Sequence, residues 1–277
     1  MLRKKGGRRP NVLGGLLGWL WLLVAIVPIY YIVVTSLRTQ ADYYVENPLA
    51  LPGNPTLRAY VTVFENDFWM YFANSVLVTG AAVAVVLIIS FMASYVIVRS
   101  RTRFSSRVFS MFLLGVAIPI QATIVPVYYL IVELGLYDTL WAIILPSIAF
   151  AIPISVLILT NFLRDVPQEL FESMKVDGAS DWQMMWRLAA PLSKPALVTV
   201  GIYDALNVWN GFLFPLILTQ SADRRVLPLS LWSFQGSFSS DTPAILAAVV
   251  LSALPLIVAY TFGRRQMVAG LTAGIGK

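Results

Sequence analysis

Six stretches of this chain, at about residues 14–37, 72–98, 108–132, 139–163, 195–219 and 243–263, are each apolar over the length of a membrane crossing, and no other feature limits its fold so tightly. A spanning helix needs roughly 20 mostly apolar residues to cross a hydrocarbon layer about 30 Å thick. Inside that layer every backbone N–H and C=O must be bonded within the protein, which selects helices. The expected fold is therefore all-α, a polytopic membrane protein with six transmembrane helices, read as a single transmembrane domain over residues 1–277. Only 12% of residues are charged, against about 25% in ordinary soluble domains. The first window follows basic residues as a signal peptide would, but it is too long and too poor in a small-residue cleavage site to be one, and it is expected to remain.

The basic residues orient the bundle. Of the 20 lysines and arginines, all but Arg38, Arg58, Arg224 and Arg225 fall before the first window, between the second and third, between the fourth and fifth, or after the sixth. Positive charge marks the cytoplasmic side, so both termini are expected inside, in the cell membrane. This placement makes the net charge of +6 a matter of membrane topology rather than of nucleic acid. Cysteine and histidine are absent, which removes disulfides, Cys or His metal sites and histidine acid–base chemistry.

Outside, residues 133–138 read as a tight hairpin, whereas 38–71, with Pro48, Pro52, Gly53 and Pro55, reads as a long irregular loop ending in Trp69 and Tyr71. That loop is a surface for a partner or, equally, an aromatic anchor for the next helix. Residues 220–242 carry Trp232, Phe234 and Phe238 among small polar residues, which suits a transient contact or closure over a cavity.

Between the fourth and fifth windows, residues 164–194 hold five acids and four bases. Asp165 is placed to cap a short helix opening with Pro167, Gln168 and Glu169, residues suited to a positive helix terminus. Gly178 should break it. Ser180 and Gln183 then have capping-box spacing, and Trp182, Met185, Trp186 and Ala189 recur at i, i+3, i+4 and i+7 up to Pro191. Two short helices with a bend are expected across the cytoplasmic ends of the bundle, exposing Glu172, Asp177, Asp181 and Arg187. A lipid-resting anchor would carry mainly Lys and Arg on its polar face, so mixed charge fits a protein partner better.

This stretch resembles the EAA loop of ABC importer permeases: Glu-Ala-Ala, three residues, Gly, nine residues, then Ile-x-Leu-Pro. Glu172, Gly178 and Pro191 stand at that spacing; Ser173 and Met174 replace the alanines, Leu188 the isoleucine and Ala190 the leucine. The flanking Val-Asp-Gly-Ala-Ser-Asp-Trp and Ala-Pro-Leu-Ser-Lys-Pro-Ala-Leu, the run from Tyr203 and the Gly-Leu-Thr-Ala-Gly from Gly270 are similar to the maltose-type carbohydrate branch. The resemblance implies a permease subunit, not itself catalytic, paired with a second homologous permease in the lipid bilayer. It further implies two cytoplasmic ATP-binding subunits, which hold ATP and Mg while this chain binds no cofactor, and an extracytoplasmic solute-binding protein. The EAA segment would be the coupling helix, with Glu172 as a charged contact and Gly178 as the turn. Trp182, Met185 and Trp186 would pack against the bundle, Asp177 would lie exposed in the coupling segment, and Ser173, Met174 and Ala190 would tune the fit to the partner.

The chain carries no phosphate loop: Gly270–Lys277 has Leu271 where a glycine is needed and ends before the required Ser or Thr. Polar residues within spans mark a pathway or a helix interface. Asp204, the only acid well inside a window, recurs with Asn207 and Asn210 every three residues. Tyr203 and Trp209 beside them could offer aromatic faces to a sugar; Gln121, Thr123 and Asn161 are weaker candidates. Packing or gating and direct sugar contact both remain open for this stripe. A secondary transporter would show duplicated halves with broken helices, and no repeat is visible; a channel subunit is the other alternative.

Overall fold

The computed structural model describes residues 12–234 and 240–273, with side chains up to Thr261 in the last helix, and the regular elements among them are helical. Phe238, the basic residues before Val12 and the closing Gly274–Lys277 lie outside the described residues. The chain forms two compact units, one of the residues up to Asn66 with Ser233–Leu251, the other of Asp67–Trp232 with the residues from Ser252 on.

In the first unit, α1 (Val12–Thr35) exposes every residue from Val12 to Tyr30 and buries only its last turn. The segment expected as an irregular loop contains α2 (Gln40–Val45), capped by Thr39, and α3 (Arg58–Glu65). Arg38, 1% exposed, organises the connection: its Nη2 donates to the carbonyls of Asn47 at 2.8 Å and Ala50 at 2.5 Å, and its Nε lies 3.3 Å from Glu46. A buried charge is tolerated when paired and hydrogen-bonded, and a guanidinium has five donors with which to gather a loop. The prolines mark irregular backbone, but the order comes from one arginine that no periodicity reveals.

The second unit is built on α4 (Phe68–Ser100) and α7 (Leu140–Arg164). Val78, Ala82, Val86, Ser90 and Ser94 are buried at every fourth position of α4, and Ser94 Oγ donates to the Val156 carbonyl of α7 at 3.2 Å. Small residues on such a stripe let helix backbones approach in a setting where lipid gives no hydrophobic drive. The third apolar window is bent: α5 (Arg103–Val116) and α6 (Ile120–Glu133) meet at 103°. Pro119, the N-cap of α6, has no N–H and pushes Ile118 out of the helical region. The hairpin between α6 and α7 turns at Gly135 and Asp138, both at positive φ.

After α7 come α8 (Gln168–Val176), α9 (Asp181–Met184), a π-helical turn over Met185–Ala189, α10 (Ala190–Leu192) and α11 (Lys194–Trp209). At 16 residues α11 reaches about 24 Å, short of a full crossing. The fifth window continues as α12 (Leu213–Leu218) after a break at Gly211, where a Cβ would stand 2.9 Å from the Val208 carbonyl. The short α13 (Leu227–Ser230) leads towards α14 (Thr242–Ala273). By length and composition, α1, α4, α7 and Thr242–Thr261 are single helices able to cross a membrane, with α5–α6 as a bent pair. The third and fifth windows are thus not single continuous helices: one bends ahead of Pro119 and the other breaks at Gly211, a poor helix former.

Candidate functional site

Two places gather the residues singled out by the sequence, both in the second unit. The first is the α8–α9 bend. Phe171 of α8 and Met184, Met185 and Ala189 beyond the bend are buried in a cluster with Phe91, Tyr95, Leu159 and Leu163 of α4 and α7. Tyr95 Oη donates to the Asp181 carbonyl at 3.2 Å, and the Arg99 guanidinium covers the Phe171 ring at 4.2 Å. The bend is thereby fixed to α4 from behind while Glu172, Ser173, Asp177, Trp182, Arg187 and Pro191 face outward, with Met174 half-buried. Gly178 makes the turn at φ +82°, a left-handed conformation that costs other residues about 1–2 kcal/mol. Ser180 and Gln183 form the expected capping box at 2.9 and 3.3 Å.

Two local expectations are corrected here. Asp165 ends α7 instead of starting α8, whose N-cap is Pro167. The expected apolar face of Trp182, Met185, Trp186 and Ala189 is only half right: Met185 and Ala189 are buried, whereas Trp182 is 60% and Trp186 39% exposed, and Met184 is buried in their place. The π turn contributes from Met185 on, where its extra residue carries Ala189 out of α-helical register with Trp182, which precedes the turn. Trp186 still meets Phe91 at a tilt of 49°, with ring centroids 5.8 Å apart, and its other neighbour is Trp182, edge-on at 5.7 Å.

The second place is a cavity of about 250 Å³ walled by α4, α6, α7, α11 and the Gly211 break. Tyr203, Asp204, Asn207 and Trp209 line it; Asn210 and Gln121 do not. A three-residue repeat drifts by about 60° per step around a helix, so the stripe fans out. Asp204 is buried at 1% exposure, Asn207 opens towards the cavity, and Asn210 is the exposed C-cap of α11. The amides of Asn207 and Asn210 each donate back to their own helix, to the carbonyls of Tyr203 and Leu206 at 2.8 Å. Trp209 gives its N–H to the Ser252 carbonyl at 3.1 Å and meets Phe72 edge-on, so it serves as a packing residue more than an open aromatic face.

Asp204 is held across the helices: Ser155 Oγ of α7 lies 2.8 Å from its Oδ2. Asp204 Oδ1 and the Thr79 hydroxyl of α4 are buried without a hydrogen-bond partner among the described residues. Ser155, Thr79 and Ser75, which accepts from the Leu227 N–H at 2.8 Å, escaped the sequence reading because lone hydroxyls in apolar helices usually bond their own backbone. Asp138 was also missed. It accepts from the Gln220 and Ser221 amides at 2.8 and 2.9 Å and from the Ser221 hydroxyl, bonds that hold its carboxyl below the usual range.

Residues 85–268 match the family described as binding-protein-dependent transport system inner membrane component. The chain belongs to that family. This permease is 42% identical over 257 residues, 93% of its length and 94% of the relative's, to a Caldicellulosiruptor sp. (strain Rt8B.4) protein assigned to the ABC transporter permeases under the name ORF2. It is 30% identical to the diacetylchitobiose uptake system permease protein DasC of Streptomyces coelicolor, over 91% of this chain and 92% of that protein. A permease chain from a crystallised bacterial ABC transporter that imports the acidic polysaccharide alginate shares its fold, with a TM-score of 0.80, 21% identity, and coverage of 96% of this chain and 99% of that one. As a member of the family, the permease is a membrane component of a transport system, and the α8–α9 bend falls inside the matched region.

Proposed function

We propose that this permease passes carbohydrate through a cell membrane on six spans with both termini inside, all 277 residues working as one transmembrane domain. It works with a second permease, two cytoplasmic subunits that bind ATP and Mg, and an external solute-binding protein. The observation that carries the reading is the α8–α9 bend, whose exposed Glu172, Asp177 and Trp182 stand on a hydrophobic cluster continuous with α4 and α7. A short helix so backed transmits a push as a rigid-body motion, while an unsupported loop would absorb it. Glu172, Ser173, Met174, Asp177, Gly178, Trp182 and Pro191 form the contact with the ATP-binding subunits.

The half-buried cavity beside Asp204, Asn207 and Tyr203 is the part of the pathway contributed by this subunit. Two oxygens of its lining residues, Asp204 Oδ1 and the Thr79 hydroxyl, have no partner among the described residues and are polar groups of the kind that bind hydroxyl-rich solutes. The names of relatives support a carbohydrate, including the arabinooligosaccharides transport system permease protein AraQ of Halalkalibacterium halodurans, 28% identical over 91% of each chain. Gentle extraction should bring down a nucleotide-binding subunit and a second permease, and sugar uptake should require both. Recovery of this chain alone, with uptake independent of ATP, would refute the reading in favour of a self-contained transporter.

A further inference from the structure

A second cavity, of about 280 Å³, opens between the α4–α5 turn and the α7–α8 turn, away from Asp204. One water needs roughly 10–15 Å³ by the same measure, so a tetrahedral oxyanion with its substituent fits. Its charged lining is Arg99, Arg101 and Arg164, and no acidic side chain lines it; Asp165 and Glu169, next along the chain, are not part of the wall. Two of the three arginines are held by rings. Arg99 lies over Phe171 at 4.2 Å and Arg164 over Phe109 at 4.9 Å. An aromatic face fixes a guanidinium plate and leaves its N–H edge able to donate, whereas a carboxylate would occupy that edge. Neither Arg38–Glu46 nor Arg224–Asp223, the ion pairs found elsewhere in the described residues, draws on these three.

The chain between the two helices brings more positive character to the same wall. Arg101 turns in the left-handed region at φ 45°, so that the 14-residue α5 starts against the cavity. Thr102 and Ser105 cap each other, and the Ser106 hydroxyl is left on the lining outside that box. Arg99, Arg101 and Arg164, with Ser106 and the first turn of α5, line a space whose wall holds no acidic side chain, and arginines, a hydroxyl and a helix start are the donor types that bind phosphate.

We propose that this cavity binds a phosphate-type oxyanion, supplied by the headgroup of an anionic phospholipid or by soluble phosphate. The site depends neither on the coupling role of the α8–α9 bend nor on the solute pathway. Its position at the joint end of α4 and α7 suits a headgroup, since basic pockets at helix ends recruit anionic lipid.

The test uses the full-length permease, copurified with its partners in neutral detergent, titrated separately with inorganic phosphate, dihexanoyl phosphatidylglycerol and dihexanoyl phosphatidylcholine while ³¹P line widths are followed. Saturable binding of phosphatidylglycerol alone assigns the site to lipid, and saturation by both anions assigns it to the phosphate group itself. In either case the Arg101→Gln/Arg164→Gln double variant and, separately, Ser106→Glu should weaken binding by about tenfold or more, as expected when a charge-assisted bond is lost. Arg107→Gln, on α5 but outside the lining, should stay within about twofold, as for a solvated charge. Elution volume and helical circular dichroism confirm that each variant is folded, and Ser106→Glu changes an exposed helical position least able to disturb packing. Absence of saturation by either anion, equal affinity for phosphatidylcholine, or binding that survives both variants would overturn the proposal.

Discussion

The α8–α9 bend and the α11 wall of the cavity both interrupt an apolar chain with polar residues, and they treat those residues in opposite ways. At the bend, the charges of Glu172, Asp177 and Asp181 point outward and an apolar cluster lies behind them. On α11 the charge points inward, and Asp204 depends on Ser155, 49 residues earlier. Outward charge on an apolar backing is built from short-range spacing, caps and one glycine. An inward charge needs a partner from another helix, and that partner leaves no local trace.

The sharpest way to break the comparison is at Gly178. Gly178→Asp should abolish uptake and release the ATP-binding subunits while the folded bundle is kept, because the strain of about 1–2 kcal/mol falls on the turn alone. Glu172→Lys should act alike through charge reversal; normal transport by both variants would mean that the bend does not couple.

Next come Met185→Ala and Trp182→Ala, which separate backing from contact. Met185, 4% exposed, should cost about 2–5 kcal/mol of thermal stability. Trp182, 60% exposed, should cost no more than about 0.5 kcal/mol yet weaken the hold on the ATP-binding subunits. Equal melting losses would put Trp182 in the core after all.

On the inward side, Ser155→Ala leaves the Asp204 carboxyl buried without its donor and should lower stability by about 1–3 kcal/mol. Asp204→Asn should impair transport more than Asn161→Ala, and in a double-mutant cycle its effect should depend on Ser155. Additive losses would show that the two side chains act independently.

The smallest effect expected is at Asp138. Its carboxyl is held below the ordinary value chiefly by the Ser221 hydroxyl, then by the Gln220 and Ser221 amides. A depressed folded value contributes stability above the unfolded value of about 3.9, and that contribution fades as pH falls through the folded value. Hydrogen exchange at Gln220 and Ser221, referenced to Asp138→Asn, should therefore rise only in strongly acid solution; an onset near neutrality would contradict the assignment.

Most of the fold was legible because apolar length, turn residues and caps are local properties. Gly178 and the Ser180–Gln183 box fell where spacing put them. The face drawn from Trp182 to Ala189 failed for a different reason, since the helical period that groups them assumes no π turn and nothing in Met185–Ala189 announces one. The α11 stripe was legible as polarity and illegible as geometry: a three-residue repeat fans out, so Asp204 and Asn207 reach the cavity and Asn210 does not. Arg38 was assigned to the outer loop by its position among the basic residues, and its burial is explained by the carbonyls of Asn47 and Ala50 together with the Glu46 carboxylate.

The exposure of α1 bears on how such a chain can diverge. From Val12 to Ile29 every residue is exposed within the described residues, and the Tyr30 hydroxyl, which donates to the Leu49 carbonyl at 3.0 Å, is the first side chain tied down, so before it Leu, Ile, Val and Phe are interchangeable at almost no cost to this chain's own packing. Ala82, Val86 or Leu159, at 0% exposure, have no such freedom. The family match begins at residue 85, beyond α1. Substitutions should therefore be tolerated more readily along α1, so far as this chain's own packing decides, than along the α4–α7 seam.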